Sequence, residues 1–407
     1  MSEQTISDIK KLITLIKKHE KWRENKTINL IPSENIISPE VRALLSSKIA
    51  GRYTSRDLFY RGTKFIDEIE QLGIRIAKRV FRAKYADLRM ISGHIADLTF
   101  IAAYVKRGET IMCIDPKDGG YPGISKNALP KLLGIRVKYL PFDKDNYIIN
   151  TEKSIEYIRK VKPKAIILGS SLILYHQPVR EISSIANEIG AVVGYDGSHV
   201  LGLIAGHTFQ DPLREGAIAL FGSTHKTFFG PQGGIMLAHE PEPLNSIVHP
   251  SIVDNAHWNR IAALTMALLE IEKFGESYAN QIIKNAKALA KSLVERKMPV
   301  KGPKDIYTES HQVLLAPKPY QKNKDLALKL EKANLIVDNG IRLGVNEITR
   351  RGMKENEMDK IAEFIERITK NEDPKKIALE VIKLRKEFSD LEYRFKDITD
   401  IDFLYNL

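Results

Sequence analysis

Cysteine is almost absent from this chain, since Cys113 is the only one among 407 residues. A single cysteine excludes an internal disulfide framework and is typical of a reducing compartment, so we expect a cytoplasmic protein. Long apolar runs are also missing. The longest, at 192–205, is interrupted by Asp196 and His199, which argues against a membrane-spanning helix. The N-terminus is polar and lysine-rich, so we expect no signal peptide.

Negative charge is in deficit, because 63 lysine and arginine residues face 51 acidic ones for a net charge of +12. Such a surface attracts anions, among them nucleic acids, phosphorylated cofactors and acidic metabolites. The lysines are spread over helical segments without aromatic residues between them, which is typical of solvated helix faces. We therefore expect neither nucleic acid nor a membrane as the main partner, and no metal site.

The pattern of the chain predicts an α/β fold. Short apolar runs alternate with helical periodicity, which favours a mostly parallel sheet covered on both faces. We predict an N-terminal helix and arm over 1–38, a large domain over 39–265 and a smaller α+β domain over 266–407. The predicted strands of the large domain are 86–91, 110–114, 137–141, 165–168, 192–195, 217–222 and 234–238. The main predicted helices are 6–26, 95–105, 151–161, 179–189, 257–297, 322–332 and 354–370.

One lysine, Lys226, occupies a position that suits a reactive amine. It lies in a small polar turn between two apolar runs, and apolar walls can depress the pKa of an amine. Such a lysine forms Schiff bases with carbonyl compounds, including the aldehyde of pyridoxal phosphate. A surface lysine in a turn is the alternative that this position alone leaves open.

Other polar residues follow predicted strands, where ligands collect in parallel α/β sheets. Asp196 could pair with a protonated pyridine nitrogen or could be a helix N-cap. Ser92 and Gly93 could offer a helix N-terminus to a phosphate or form a plain capping turn. Tyr121 could stack on a flat ring or pack in the core. Arg342 requires a carboxylate, from a substrate or from a structural partner.

Together these segments resemble the serine hydroxymethyltransferase family, as a divergent, archaeal-like member. The resemblance extends from about Lys18 to Thr369, and the segments around Asp196 and Lys226 are highly specific to the family. The matching segments are 30–35 (LIPSEN), 60–62 (YRG), 66–68 (IDE), 92–93 (SG), 118–120 (DGG), 195–202 (YDGSHVLG), 223–227 (STHKT) and 340–344 (GIRLG). The resemblance implies the fold-type I, aspartate-aminotransferase-like fold of pyridoxal-phosphate enzymes.

The resemblance also implies roles for individual residues. Lys226 is the expected Schiff-base lysine, and Asp196 is the expected partner of the pyridinium. The other expected cofactor contacts are Ser92, Gly93, His94, Tyr121, Ser171, His199, Ser223 and His225, of which His199 also counts as catalytic. The expected substrate-binding residues are Ser33, Tyr60 and Arg342, of which Ser33 and Arg342 are the expected binders of the amino-acid carboxylate. Tyr53 and Tyr60 resemble catalytic tyrosines that the neighbouring subunit supplies, which implies a homodimer with shared active sites.

The chain departs from the family pattern where a tetrahydropterin cosubstrate is expected to bind. The glutamate that normally follows the first tyrosine is missing after Tyr53, and Asp57 lies in a different register. The loop before Arg342, which in the family contacts the pterin, is short. A further departure concerns the cofactor, since the glycine pair that the partner subunit offers to the phosphate is absent near residues 249–251. His94 and Tyr121 replace a serine and a histidine that are common in the family.

These departures leave the function open in one respect. We expect an enzyme that makes or breaks the Cα–Cβ bond of serine or a related β-hydroxy amino acid, with tetrahydrofolate, tetrahydromethanopterin or neither as the one-carbon acceptor. A pterin-independent aldolase for threonine-like substrates is the alternative. A non-catalytic RNA-binding relative is a second alternative, which the presence of Lys226, Asp196 and Arg342 disfavours.

Overall fold

The structure is a computed structural model that describes residues 2–54, 59–315 and 323–396. The strands in these residues are β1 Ile28–Asn29, β2 Tyr85–Asp87, β3 Thr110–Cys113, β4 Arg136–Tyr139, β5 Phe142–Asp143, β6 Ile148–Ile149, β7 Ala165–Leu168, β8 Val192–Asp196, β9 Ala219–Ser223, β10 Gly234–Ala238, β11 Gln312–Leu314, β12 Leu335–Ile336 and β13 Arg342–Gly344. The α-helices are α1 Glu3–Lys26, α2 Pro39–Leu45, α3 Lys64–Phe81, α4 Gly93–Tyr104, α5 Leu129–Leu132, α6 Thr151–Val161, α7 Val179–Glu188, α8 Leu201–Ala205, α9 Leu244–Ile247, α10 Trp258–Glu295, α11 Lys324–Lys332, α12 Asn346–Arg350, α13 Glu355–Thr369 and α14 Pro374–Glu387.

A seven-stranded sheet forms the centre of the part of the chain that the structure describes. Its strand order is β2-β10-β9-β8-β7-β3-β4. Neighbouring strands from β9 to β4 run parallel, whereas β10 is antiparallel to both β9 and β2. Strands β7, β9 and β10 are buried along their whole length, as expected when helices cover both faces. The prediction of an α/β fold with a large, mostly parallel seven-stranded sheet is confirmed.

Five of the seven predicted strands differ from the observed bounds, and for two of them the structure shows why. The strand predicted at 86–91 ends at Asp87, because the Asp87 carboxylate accepts a hydrogen bond from the backbone N–H of Arg89 at 2.9 Å and turns the chain. The strand predicted at 217–222 begins at Ala219. The N–H of Ala217 instead donates to Pro212 in the preceding turn at 2.9 Å.

The N-terminal helix forms as predicted, but its apolar stripe is not covered by the residues that the structure describes. Helix α1 has no buried residue. Its apolar side chains are between 39% and 60% exposed, namely Ile6, Ile9, Leu12, Ile13, Leu15 and Ile16. The helical periodicity therefore identified the element correctly, while no described residue buries its apolar stripe.

The long helix α10 joins the sheet to the C-terminal elements. It packs against α2, α3, α8 and α13. Glu270 on this helix forms an ion pair with Arg350 at 2.7 Å, and both side chains are fully buried. The Arg350 guanidinium also lies 3.8 Å from the ring centre of Phe229, in the loop after β9. One buried cation thus ties α10, α12 and that loop together, because a buried charge needs partners on every side.

The C-terminal elements also contact the N-terminal arm. Strand β1 pairs in parallel with β12, and β11 pairs antiparallel with β13. The N–H of Gly344 donates to Leu30 at 2.8 Å, which places the end of β13 beside the arm. The three predicted domain boundaries stay a prediction. Among the described residues, no helix combines the length and apolar character that crossing a membrane requires.

Candidate active site

A polar cavity of about 50 Å³ lies where the parallel strands end. Residues that follow β3, β7, β8 and β9 meet there with the first turn of α4. The lining consists of Gly93, His94, Asp97, Tyr121, Ser170, Ser171, Asp196, Ser198, His199, Ser223 and Lys226. This convergence follows from the topology, because the carboxyl ends of parallel strands share one edge of a sheet.

The loop that carries Lys226 is held by hydrogen bonds on both sides. Asn35 donates to the backbone carbonyl of Lys226 at 2.6 Å and to the hydroxyl of Tyr278 at 2.9 Å. The hydroxyl of Thr227 donates to the carbonyl of His199 at 2.8 Å. The backbone on which Lys226 stands is therefore fixed to the N-terminal arm and to the end of β8.

The amine of Lys226 loses its proton at a lower pH than an ordinary lysine does. Burial lowers its pKa to about 8, the charge of Asp196 acts in the opposite direction, and Arg342 lowers it further. The expected depression of the pKa is thus present. Its surroundings are not the expected apolar walls, however, because the cavity lining is mostly polar.

Asp196 ends β8 and lies 6% exposed in the cavity wall. Its Oδ1 accepts hydrogen bonds from the backbone N–H of Ser198 at 2.9 Å and from the Ser198 hydroxyl at 2.5 Å. Burial raises the pKa of this carboxyl, and the charge of Lys226 opposes the shift. Asp196 is not a helix N-cap, since α8 begins at Leu201 after the N-cap Val200.

Helix α4 begins at the cavity with the geometry of an anion site. Its N-cap is Ser92, whose hydroxyl accepts from the N–H of Ile95 at 3.1 Å. The N–H groups at Gly93 and His94 have no partner within the helix and carry the positive end of its dipole. A Cβ on Gly93 would lie 2.8 Å from the backbone nitrogen of Ser223, so only glycine fits this close approach.

Unsatisfied buried atoms test whether this cavity fits a polar ligand. Oδ1 of Asp97 and Nδ1 of His225 are buried without a hydrogen-bond partner among the described residues. Buried polar atoms normally have partners, so a ligand with polar groups suits these two positions. Asp97 lies on α4, and the free N-terminal N–H groups of this helix fit the phosphate of a phosphorylated ligand.

An aromatic pair lines another side of the cavity. The hydroxyl of Tyr121 lies 3.1 Å from Nδ1 of His94, and the two rings meet edge to face at 86°. Burial raises the pKa of Tyr121 to about 12 and lowers the pKa of His94. Both side chains are therefore neutral near pH 7. Tyr121 belongs to the cavity and is not only a core residue.

The structure brings most, but not all, of the predicted site residues together. Eight of them line the cavity, namely Gly93, His94, Tyr121, Ser171, Asp196, His199, Ser223 and Lys226. Ser92 and His225 are outside the lining but adjoin it in sequence. Ser33 lies in the turn after β1, where the N–H of Glu34 donates to Ile31 at 3.2 Å, and it is also outside the lining.

Arg342 approaches the cavity from β13 and has partners within the chain. Its Nε donates to Asp338 at 3.2 Å, and its Nη1 donates to the backbone carbonyl of Ser171. Its charge lowers the pKa of both Lys226 and His199. A structural carboxylate partner is therefore present, and the part of the guanidinium that Asp338 and Ser171 leave uncovered is what a substrate could use.

Tyr53 and Tyr60 lie at the surface of the chain, away from its own cavity lining. They are 53% and 39% exposed, and their ring centres are 5.3 Å apart. Asp67 holds the ends of this segment, since it accepts from Thr54 at 2.5 Å and from Thr63 at 3.0 Å. Asp57, the candidate replacement for the missing glutamate, lies outside the described residues.

Asp97 is a cavity residue that the sequence interpretation missed. It lies one helical turn after Gly93 and is 1% exposed. Burial and the nearby charge of Asp196 raise its pKa well above the ordinary value, while Lys226 lowers it. The spacing of four residues on one helix could have identified it, because such residues share a face.

The raised pKa of Asp97 predicts a pH-dependent stability difference. Because the folded-state pKa lies above the unfolded value, the carboxyl favours the folded state most below pH 4 and loses that contribution as pH rises toward the folded pKa. Asp97→Asn removes this loss. We expect the cofactor-free variant to melt at a higher temperature than the parent at pH 8, with a difference that shrinks toward pH 4. A pH-independent difference in thermal scans would contradict the assignment.

The structure is similar to that of a known enzyme. L-threonine transaldolase from Pseudomonas fluorescens, crystallised in its internal aldimine state, is similar with a TM-score of 0.92 and 29% sequence identity, over 99% of this chain and 98% of that one. The fold is thus that of the fold-type I pyridoxal-phosphate-dependent transferases, as the resemblance implied.

Sequence comparison defines the family more closely. The serine hydroxymethyltransferase profile matches residues 6–365. Serine hydroxymethyltransferase from Methanocaldococcus jannaschii is 41% identical over 96% of this chain and 97% of its own length. The enzyme of the same name from Pyrobaculum aerophilum is also 41% identical, over 96% and 95%. The chain belongs to the serine hydroxymethyltransferase family and is a pyridoxal-phosphate-dependent enzyme.

Proposed function

We propose that this enzyme makes or breaks the Cα–Cβ bond of serine or a related β-hydroxy amino acid, using pyridoxal phosphate attached to Lys226. The observation that carries the proposal is the combination in one cavity of three features. These are an amine of lowered pKa at Lys226, a buried carboxylate at Asp196 and the free N-terminus of α4 at Gly93. A purely structural cluster has no need of all three.

Each group has a distinct task in this proposal. The neutral form of the Lys226 amine is the nucleophile that takes up the cofactor's aldehyde. The carboxylate of Asp196 holds a proton on the pyridine nitrogen, because a buried carboxylate next to a protonated ring favours the charged pair. The N–H groups of α4, with Ser92, His94, Ser223 and His225 nearby, bind the phosphate. When bound, pyridoxal phosphate supplies the electron sink that stabilises the carbanion left by Cα–Cβ cleavage.

The remaining groups orient the ring and the substrate. Tyr121 follows β3 and His199 follows β8, and Ser171 follows the strand between them, β7. Tyr121 and His199 both line the cavity and would hold the ring plane. Arg342 and Ser33 are the proposed binders of the amino-acid carboxylate. The planar guanidinium of Arg342 can accept a carboxylate through two parallel hydrogen bonds, which fixes the orientation of Cα.

One feature favours a smaller role for a tetrahydropterin than the family name suggests. Strands β12 and β13 are joined directly through residues 337–341, and Asp338 closes this turn by accepting from the N–H groups of Gly340 and Arg342 at 2.9 and 3.2 Å. No long loop precedes Arg342 to hold a pterin ring in this described part of the chain. A pterin-independent aldolase activity is therefore our second candidate.

The two candidates differ in their cosubstrate requirement. We expect the rate of allo-threonine cleavage without pterin to be comparable to the rate of serine turnover in the presence of tetrahydrofolate or tetrahydromethanopterin. The reason is that activation of a pterin nitrogen requires a positioned acid–base group, which typically contributes roughly 10²–10⁴-fold. Steady-state rates and product identity for serine, threonine and allo-threonine, with and without each pterin, measure this. If serine turnover needs a pterin and exceeds the aldolase rate by about a hundredfold, the aldolase candidate is wrong.

We also propose that the enzyme is a cytoplasmic homodimer with shared active sites. In the described part of the chain, two sets of apolar side chains are exposed. They are the stripe of α1 and the three aromatic residues Tyr53, Phe59 and Tyr60, of which Phe59 is 76% exposed. Contiguous exposed apolar surface of this kind is typical of an interface. Tyr53 and Tyr60 would then enter the cavity of the neighbouring subunit. The cytoplasmic location rests on the single cysteine, which is buried.

A shared site predicts complementation between two inactive variants. Lys226→Ala removes the nucleophile of one cavity, whereas Tyr60→Phe removes a hydroxyl that would serve the other. Mixed dimers would contain one intact site, so partial activity is expected to return after subunit exchange. The measurement is the cleavage rate of the mixture against each variant alone, with exchange verified by differently tagged subunits. Absence of recovered activity despite exchange would contradict the shared site.

A further inference from the structure

A second hydrogen-bonded group lies behind the cavity, on the side of His199. It consists of His199 at the end of β8 and of His311 and Gln312 at the start of β11. The side chains of His311 and Gln312 are fully buried, and His199 is 4% exposed. His199 lines the cavity, whereas His311 and Gln312 are outside the lining. The sequence interpretation assigned no role to His311 or Gln312.

Two backbone groups fix the orientation of the Gln312 amide. The N–H of Ile173 donates to its Oε1 at 3.1 Å, and its Nε2 donates to the carbonyl of Ser171 at 3.1 Å. These backbone groups have opposite polarity, so exchanging the amide oxygen and nitrogen would break both bonds. The Nε2 group therefore lies on the side of His199, where it is 3.0 Å from Nδ1 of that ring.

This orientation determines the protonation pattern of His199. An amide nitrogen only donates, so Nδ1 of His199 must be the unprotonated, accepting nitrogen. Burial and the charges of Lys226 and Arg342 lower the pKa of His199 well below its ordinary value, which keeps the ring neutral. A neutral imidazole carries its single proton on the other nitrogen, Nε2.

The neighbouring histidine does not change this result. Nε2 of His311 lies 3.4 Å from Nδ1 of His199, with the two rings stacked at 19°. Burial is the main cause that lowers the pKa of His311 to about 3, so it is also neutral. If its Nε2 carried a proton, that proton too would point to a lone pair on Nδ1 of His199. If Nε2 of His311 carries no proton, Gln312 is the only one of these two residues that can donate to Nδ1 of His199.

We infer that Gln312 is a positioning residue, which holds His199 in the tautomer with its proton on Nε2 and thereby presents an N–H donor to the cavity. The Nδ1 edge of the ring is occupied by Gln312 and His311, so the Nε2 edge is the one left for a ligand. A donor there fits an anionic or carbonyl-like oxygen of the bound cofactor and disfavours a hydroxyl that must itself donate. The hydrogen bond from Nε2 of His199 to the cofactor rests on the proposed function, whereas the assignment of the tautomer does not.

The tautomer can be measured in the cofactor-free protein. The nitrogen shifts of the ring distinguish a protonated from an unprotonated position, and the chain has ten histidines. The His199 signals are assigned by their loss in His199→Gln. With ¹⁵N-labelled histidine, we expect the parent protein to show His199 protonated on Nε2 only. A proton on Nδ1 in the parent would overturn the inference.

Two substitutions of Gln312 test the cause. Methionine has a similar volume to glutamine and no hydrogen-bond donor. In Gln312→Met the ring proton of His199 should therefore also occupy Nδ1, from which it can be donated to His311. Gln312→Glu replaces the donor with an acceptor and should place a proton on Nδ1. An unchanged His199 tautomer in Gln312→Met would show that Gln312 does not set it. Thermal unfolding identifies any variant that fails to fold, and the methionine variant alone suffices for the decision.

A matched control and a second readout separate this inference from the proposed function. Gln177 is also buried and bonded to the segment after β7, through Gly169 at 2.7 Å and Ser170 at 3.4 Å, but it is not a partner of His199. Gln177→Met is expected to leave the His199 tautomer unchanged. In titrations with pyridoxal phosphate, Gln312→Met should bind roughly threefold to tenfold more weakly, the scale of one hydrogen bond. If no variant binds the cofactor, the proposed function fails while the tautomer measurement still decides the role of Gln312.

Discussion

Replacement of Lys226 by alanine is expected to reduce turnover of every β-hydroxy amino acid by about 10²–10⁴-fold, the contribution of a positioned acid–base group. Lys226 is the proposed point of cofactor attachment, and its side chain lines the cavity. Its pKa of about 8 leaves a useful fraction of neutral amine near neutral pH, which an ordinary lysine would not provide. Initial rates with allo-threonine and serine, at saturating cofactor, measure the effect.

Lys226→Arg is the matched control for this experiment. Arginine keeps a positive charge beside Asp196 but cannot become a neutral nucleophile in a protein. If the role of Lys226 were only to balance the charge of Asp196, the arginine variant would retain most of the activity. We expect it to be as inactive as the alanine variant. Activity within tenfold of the parent in either variant would contradict the assigned role.

Replacement of Arg342 by alanine is expected to weaken glycine binding by at least about tenfold. A guanidinium–carboxylate pair in a shielded site is worth roughly 2–5 kcal/mol when one partner is removed, and the side chain of Arg342 is only 14% exposed. The partial use of its donors by Asp338 and Ser171 places the expected effect near the lower end of that range. The measurement is the dissociation constant of glycine, followed through the absorbance of the bound cofactor.

Two controls accompany the Arg342 experiment. Arg342→Lys keeps the charge without the planar fork and is expected to bind glycine with intermediate affinity. Arg351 is similarly enclosed but pairs with Glu24 and Glu347, at 2.7 and 3.2 Å, instead of approaching the cavity. Arg351→Ala should lower the melting temperature and leave the glycine constant unchanged. Equal glycine binding by the parent and Arg342→Ala would reject Arg342 as the carboxylate binder.

Local patterns in the sequence predicted the fold well because most strands of the large sheet are short apolar runs bounded by turns. Helix α6 and strand β7 have the predicted bounds, 151–161 and 165–168. The end of β2 was missed because the side chain of Asp87 accepts a hydrogen bond from the backbone N–H of Arg89, and apolar periodicity does not report such a turn. The exposure of α1 was missed for another reason, since periodicity shows that a stripe needs a partner and not which surface provides it.

Site residues were predictable where they lie at the end of a strand. They were less predictable where their role depends on segments that are distant in sequence. Lys226 and Asp196 each follow a strand, so the topology of the sheet placed them in one cavity. Asp97 sits inside an apolar helix and was overlooked despite its spacing from Gly93. Gln312 could not have been placed, because its partners at Ser171, Ile173 and His199 are more than a hundred residues away in sequence.

The most direct test of the central claim is to locate the cofactor on the chain. The purified protein is incubated with pyridoxal phosphate, reduced with borohydride, digested and mapped by mass spectrometry, with Lys226→Ala treated in parallel. The account predicts one reduced pyridoxyl adduct on Lys226, together with loss of the visible absorbance band, and no adduct in the variant. An adduct on another lysine in the parent, or none at all, would contradict it.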